Sequence, residues 1–386
     1  MVSAQPTDVP STAGRWAARR VSARLPAFPW DRLAPYRQRA AAHPDGLIDL
    51  SIGAPVDPVP AVVQAGLAEG SDKPGYPSTA GTGELREAAV HWMARRLGVA
   101  GLDRDAVLPT TGSKEMVGWL PTLLGLGPGD VVVIPELAYP TYDVGVRLAG
   151  AEPVVSDGLL RFGPAPVRLV WVNSPSNPTG RVLPAEHLRK VVRWARERGA
   201  VVASDECYIE LGYESEPVSV LHPEVCEGSF DGLLAVHSLS KRSNLAGYRA
   251  GLVAGDLEII RELHEVRRHA GLIVPLPVQT AMTAALRDDA HAEEQRGRYL
   301  ARREVLRPAL EAAGWRMDHS EAGLYLWAAH PAYDCWEQLA RLAEQGILAA
   351  AGELYGDAGR GHVRVALTAT DERIDAAARR LYALVS

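Results

Sequence analysis

The sequence predicts an α/β protein, with a large domain on a mostly parallel sheet covered on both faces and a smaller α/β domain after it. Two features predict this. From residue 83 onward, short continuous apolar runs alternate with helix-period segments, the pattern of strands buried on both faces and joined by helices. Beyond about residue 276 the texture changes to a long helical tract with shorter strands and a last helix behind it.

The elements follow in order. "GELREAAVHWMARRLGV" (83–99) carries apolar residues at helical spacing, and "DVVVIPE" (130–136) is a short β-branched run. "RLVWVNSP" (168–175) is a second strand. "PAEHLRKVVRWARERGA" (184–200) is an amphipathic helix with Pro184 in its first turn, and "VVASDE" (201–206) follows at once. "LLAVHSLSK" (233–241) and "AGLVAGD" (250–256) complete the large domain. The expected division is a disordered extension over 1–24, an arm over 25–50 packed with the small domain, a large domain over 51–275 and a small domain over 276–386. The extension is rich in Ser, Pro, Ala and Arg, with Asp8 its only acid. Such a composition suits a disordered segment, and an organelle presequence is the alternative.

Composition narrows the partners. The 386 residues carry a formal charge of −6 with 23% charged residues, and no basic stripe points to nucleic acid. No apolar run reaches the roughly 18 residues that a membrane span needs. Cys207, Cys226 and Cys335 are odd in number and have no metal-ligand spacing, so no metal site is expected and a reducing cytoplasm fits.

Ligands of open α/β sheets sit beyond the strand ends, and here four such ends carry polar residues. "NSPSNPTG" (173–180) makes a rigid loop in which Asn177 presents an amide; alone, it is equally a plain Asn-Pro turn. "SDECY" (204–208) ends an apolar run on Asp205, a costly place for a carboxylate without a cation or strong donors, with Tyr208 beside it. In "HSLSKRSNLAGYRAG" (237–251), Lys241 is placed to be a nucleophile toward an aldehyde, and Ser238 and Arg249 flank it as anion binders. In "TTGSKE" (110–115), Gly112, Ser113 and Lys114 open a helix whose free N–H groups would face an anion, or simply cap it. Together the four ask for one ligand with an aldehyde, a phosphate, a ring nitrogen and a phenolic oxygen. Pyridoxal 5′-phosphate has all four, and Asp205 would keep its ring nitrogen protonated.

With those motifs in that order, the chain resembles the class I/II aminotransferases of pyridoxal-phosphate fold type I over roughly residues 25–384. The resemblance implies roles for further positions. Tyr139 in "PELAYPTYD" would stack on the cofactor ring. Tyr76 in "GYPSTAGTGELREA" would reach the phosphate of a neighbouring subunit, so a homodimer with shared active sites is implied. Arg364 in "HVRVALT" would clamp the substrate α-carboxylate, and Gly53 in "LSIGAPVDP" would pass close to it. The substrates would be small amino and keto acids. "FPWDRL", "AHPDGLIDLSIGAPVDPVP" and "WLPTLLGLGPGD" are similar, more narrowly, to actinobacterial-type N-succinyldiaminopimelate aminotransferases of lysine biosynthesis. An aminotransferase for another acidic or aromatic amino acid and a β-lyase on the same fold share the cofactor residues. A cofactor-sensing regulator would need a DNA-binding module, for which the N-terminal segment has no room.

Overall fold

The computed structural model describes residues 20–159, 162–163 and 166–384. The expected extension lies outside them up to residue 19. Within the described part of that extension, Val21–Arg24 forms a short 3₁₀ turn with no buried residue.

The large domain is built on a seven-stranded sheet. In spatial order its strands are Val107–Thr111, Ala250–Gly255, Leu233–Ser238, Val201–Asp205, Val167–Asn173, Val131–Ile134 and Glu152–Val155. All pairings are parallel except those of Ala250–Gly255, which runs antiparallel to both neighbours. Strand side chains alternate between faces, and here both faces are apolar. Val170, Val172, Val202 and Ala235 pack toward helices Gly83–Leu97 and Ala185–Arg196, while Leu169, Trp171, Ala203 and Val236 pack toward helices Ser113–Leu123 and Thr141–Ala149. This two-sided burial is why the strands read as unbroken apolar runs.

The topology decides where the polar residues go. Val107–Thr111 and the parallel strands all end at one edge of the sheet, where the antiparallel strand begins. Register aligns Asn173 with Asp205, Ser238 with Gly251, and Thr111 with Ala250. Arg249, just before the antiparallel strand, therefore meets Gly112–Lys114 and Ser238 at the same edge.

The smaller domain has a four-stranded antiparallel sheet, in spatial order Ala350–Ala351, His362–Ala366, Tyr325–Ala329 and Arg316–Met317. Helices Ala290–Ala312, Cys335–Glu344 and Asp371–Tyr382 supply Tyr299, Leu306, Leu339, Leu342, Ile374 and Leu381 to its core. The arm joins the same core through Leu33, Ile48 and Leu50, and Ile48–Asp49 pairs in parallel with Ile347–Leu348. Packing moves the expected domain boundary. Helix Leu276–Arg287 buries Ala281, Met282, Ala285 and Leu286 in the large-domain core, so the division falls beyond Arg287 rather than at 275. Among the described residues no helix is long and apolar enough to cross a membrane.

Candidate active site

A cleft of about 710 Å³ opens at the C-terminal edge of the large sheet and reaches the small domain through Tyr325 and Arg364. It gathers Gly53, Ser113, Lys114, Tyr139, Asn177, Asp205, Tyr208, Ser238, Lys241, Arg249 and Arg364, all of them singled out from the sequence.

Lys241 does not sit at the strand terminus itself. The strand ends at Ser238, and a single helical turn, Leu239–Arg242, carries the lysine into the cleft. Ser238 caps that turn by accepting the Ser240 N–H at 3.2 Å, which leaves its own hydroxyl proton to give. The Lys241 ammonium donates to the Gly53 carbonyl. Gly53 has no room for a side chain, because a Cβ there would fall on the Tyr325 phenol.

Around the anion-binding corner, Gly112 has φ +76, and a Cβ there would fall on the Arg249 guanidinium. Glycine thus satisfies both the left-handed backbone and the close approach. Arg249 itself adopts φ +57 and donates through Nη1 to the Ala246 carbonyl at 3.0 Å. Its Nη2 stands against Gly112, the residue just before the helix Ser113–Leu123. Lys114 Nζ lies 5.9 Å from the centre of the Tyr139 ring.

Asp205 is buried, accepting the Tyr142 hydroxyl at 2.7 Å and the Cys207 N–H at 3.2 Å. Burial pushes its carboxyl above the ordinary range, because no cation among the described residues pairs with it and the Cys207 and Tyr142 donors only partly compensate. Tyr142 is fully buried, stacked on Trp171 at 5.0 Å, and burial followed by the Asp205 charge drives its phenol well above its usual value. It therefore stays a proton donor to Asp205. Tyr142 is not among the residues singled out from the sequence, although its spacing from Tyr139 across the start of a helix is a signal.

Arg364 is 2% exposed. It donates through Nη1 to Asn177 Oδ1 at 2.8 Å and through Nη2 to the Ser51 carbonyl at 2.6 Å, and its guanidinium lies 3.9 Å from the centre of the Tyr325 ring. Its Nε has no hydrogen-bond partner among the described residues. With its oxygen held by Arg364, what Asn177 has left for a ligand is its NH₂. Tyr325, also missed in the sequence, places its hydroxyl 3.2 Å from that of Tyr208. Burial raises both phenols. At Tyr325 the charges of Arg364 and Lys241 outweigh burial and leave it below its ordinary value, whereas burial and the Tyr325 neighbour keep Tyr208 well above.

The outer wall of the cleft is apolar. Leu25, Phe28, Trp30, Ile52 and Val144 line it, so the N-terminal arm contributes to the pocket as well as to the small-domain core. Of the other residues singled out from the sequence, Gly112 lies behind the lining against Arg249, and Tyr76 stands apart. It is fully exposed on this chain and outside the cleft.

The donor set fits pyridoxal 5′-phosphate. Asp205 is a buried carboxylate lacking a cation, suited to a protonated ring nitrogen. The cradle of Gly112, Ser113, Ser238 and Arg249 suits a dianionic phosphate, and Lys241 lines the same cleft. Fold and site together define a pyridoxal-phosphate enzyme of fold type I. The chain belongs to the class I and II aminotransferases, whose family model matches residues 45–381. It is 61% identical over 361 residues to a probable aminotransferase of Mycobacterium tuberculosis, covering 94% of this chain and 86% of that one. It is 60% identical over 357 residues to the 4-dedimethylamino-4-oxo-anhydrotetracycline transaminase OxyQ of Streptomyces rimosus, covering 92% and 99%. Among solved structures, a probable N-succinyldiaminopimelate aminotransferase from Thermus thermophilus aligns with TM-score 0.82 at 30% identity, covering 92% of this chain and all of that one.

Proposed function

We propose that this aminotransferase moves the amino group of glutamate onto N-succinyl-2-amino-6-ketopimelate, giving N-succinyl-LL-2,6-diaminopimelate and 2-oxoglutarate. The observation that carries the reading is Arg364, a buried guanidinium with an unpartnered Nε in the cleft that also holds Lys241. Both amino-group partners bear an α-carboxylate for it to grip. The name of the Thermus neighbour supports the succinylated acceptor. The free thiols of Cys207, Cys226 and Cys335 suit a reducing cytoplasm.

When bound, the cofactor supplies an electron sink for the charge left on the substrate carbon. Lys241 Nζ takes the α-proton and returns it, as base and then acid. Asp205 would hold the ring-nitrogen proton, with Tyr142 fixing the carboxylate through its hydroxyl. Asn177 and Tyr208 would donate to the phenolic oxygen, and Tyr139 would cover the ring. Gly112, Ser113, Lys114, Ser238 and Arg249 would hold the phosphate. Arg364 orients the α-carboxylate, with Gly53 leaving the passage clear.

A second reading has its own observation. The apolar wall of Phe28, Ile52 and Val144 suits an acceptor with an apolar or ring-bearing distal part, and OxyQ is named for a tetracycline-type ketone. A co-substrate panel with glutamate as donor, followed by 2-oxoglutarate release, separates the two. The succinylated keto acid should give the highest kcat/KM. An aromatic keto acid or ring ketone exceeding it would overturn the primary reading. Keto-acid-independent release of ammonia would indicate a β-lyase.

The site is also proposed to be shared across a homodimer, with Tyr76 donating to the partner's phosphate cradle. Its full exposure on the isolated chain supports this. A hydrogen bond to a charged group is worth roughly 1.5–3 kcal/mol, so Tyr76→Phe should weaken cofactor retention by about tenfold or more. Mixing Tyr76→Phe chains with Lys241→Ala chains should give hybrids with one site bearing both lesions and one bearing neither. Assayed at a cofactor concentration that leaves Tyr76→Phe sites largely empty, so that both parents are nearly inactive, each hybrid should regain about half of a wild-type dimer's activity. No recovery, with hybrids verified by mass spectrometry, would place Tyr76 in its own chain's site.

A further inference from the structure

The residues adjoining Asp205 and Ser238 in sequence are Glu206 and His237, and they turn away from the cleft. Strand geometry requires this, since successive side chains point to opposite faces. Both are buried, at 1% and 2% exposure. Glu206 Oε1 accepts the Val220 N–H at 2.7 Å, while Oε2 lies 3.6 Å from His237 Nε2, too far for a direct hydrogen bond. Among the described residues, Glu206 Oε2, both ring nitrogens of His237 and Arg242 Nη2 are buried without a hydrogen bond of good geometry, the Glu206 backbone being the nearest polar group to the His237 ring besides the carboxyl. These groups surround one small chamber of about 10 Å³, close to the room that a single water centre needs. A polar cavity of that size with several unsatisfied groups is a place for an internal water.

The surrounding charges are accounted for. Arg242 is paired with Glu210, which also accepts from Arg96 and from the Trp92 indole. The Trp92 and His237 rings stand perpendicular, their centres 5.0 Å apart. Ser204 and Ser219 face Glu206, and Asp205 is its neighbour along the chain. Burial, the largest influence on each, pushes Glu206 up to about 7 and His237 down to about 3. A carboxylic acid beside a neutral imidazole is the form a low-dielectric chamber favours over an ion pair.

We propose that Glu206 and His237 are a positioning pair. They share one proton and one internal water, and so tie the strand end carrying Asp205 to the strand end carrying Ser238 without placing charge behind the ring-nitrogen site. The pair acts on the cofactor cradle whatever the amino acceptor, so a failed substrate panel leaves it standing.

Proton counting gives the test. Between about pH 4.5 and 6.5 an unfolded chain holds the pair's proton on histidine and the folded chain holds it on glutamate. The pair's contribution to stability is therefore flat there. Glu206→Gln leaves only the depressed histidine, whose contribution is lost as pH falls through this window. His237→Asn leaves only the raised carboxyl, whose contribution is lost as pH rises through it. Relative to wild type, denaturant-unfolding free energies of the cofactor-free protein should slope upward with pH for Glu206→Gln and downward for His237→Asn, and the double variant should be flat. Parallel profiles with constant offsets would overturn the shared proton. Should a variant fail to fold, a high-resolution crystal structure of the wild type decides the rest. Ordered water bonded to Glu206 Oε2 and His237 is expected, and a dry chamber would overturn the proposal. For the positioning role, Glu206→Ala should raise the dissociation constant for pyridoxal 5′-phosphate by about tenfold, and Glu206→Gln should restore most of it. Equal losses in both variants, or none in either, would refute it.

Discussion

Lys241→Ala is expected to abolish transamination, lowering kcat by at least about four orders of magnitude. It removes both the covalent anchor and the proton carrier, and general acid–base catalysis alone contributes about 10²–10⁴. The fold should survive, because among the described residues the ammonium's only hydrogen bond is to the Gly53 carbonyl and the turn Leu239–Arg242 is capped by Ser238 rather than by the lysine. The variant should still take up the cofactor through Ser113, Ser238 and Arg249 and hold it non-covalently, so gel filtration under denaturing conditions should strip all of it. Retention of near-normal turnover would remove Lys241 from the mechanism.

Asp205→Ala should lower kcat by about 10³-fold, the scale seen when a preorganised electrostatic partner at a developing charge is lost. Its effect on the cofactor-free protein should run the other way. Burial raises the folded-state pKa of Asp205 above its ordinary value. Its contribution to stability is thus present below the ordinary carboxylate range and is lost as pH rises through the folded-state value. Cofactor-free Asp205→Asn, which keeps an acceptor for Tyr142, should then be more stable than wild type at neutral pH while turning over far more slowly. Denaturant unfolding and steady-state kinetics on the same preparations check both arms. An Asp205→Asn protein that is both less stable and fully active would contradict the account.

Much of this site is legible in the sequence because its groups lie in short local motifs. Asp205, Asn177, Ser238 and Lys241 each follow an apolar run, and the end of a buried strand is where an α/β sheet exposes its chemistry. The parts not legible are those built by contacts distant in sequence. Tyr325 belongs to a small-domain strand and reaches Tyr208 only when the two domains pack. The outer wall from Leu25 to Trp30 looks like an arm, and nothing local says that one side of it lines a pocket. Helix Leu276–Arg287 reads as part of the small domain because its periodicity runs on toward Ala290–Ala312. Its partners, the helices Ala61–Gly70 and Gly83–Leu97, lie some two hundred residues earlier. Gly66 and Gly70 allow that approach, since a Cβ at either would press on Ala284 or on Pro277 and Thr280.

The central claim is that Lys241, of all the lysines in the chain, carries the cofactor. Borohydride reduction of the holoenzyme followed by peptide mapping tests it most directly. The account predicts one phosphopyridoxyl group per chain, in the peptide containing "SLSKRSNLAGYR" and on Lys241. Label on Lys73, Lys114 or Lys190, or no label at all on a catalytically active preparation, would contradict it.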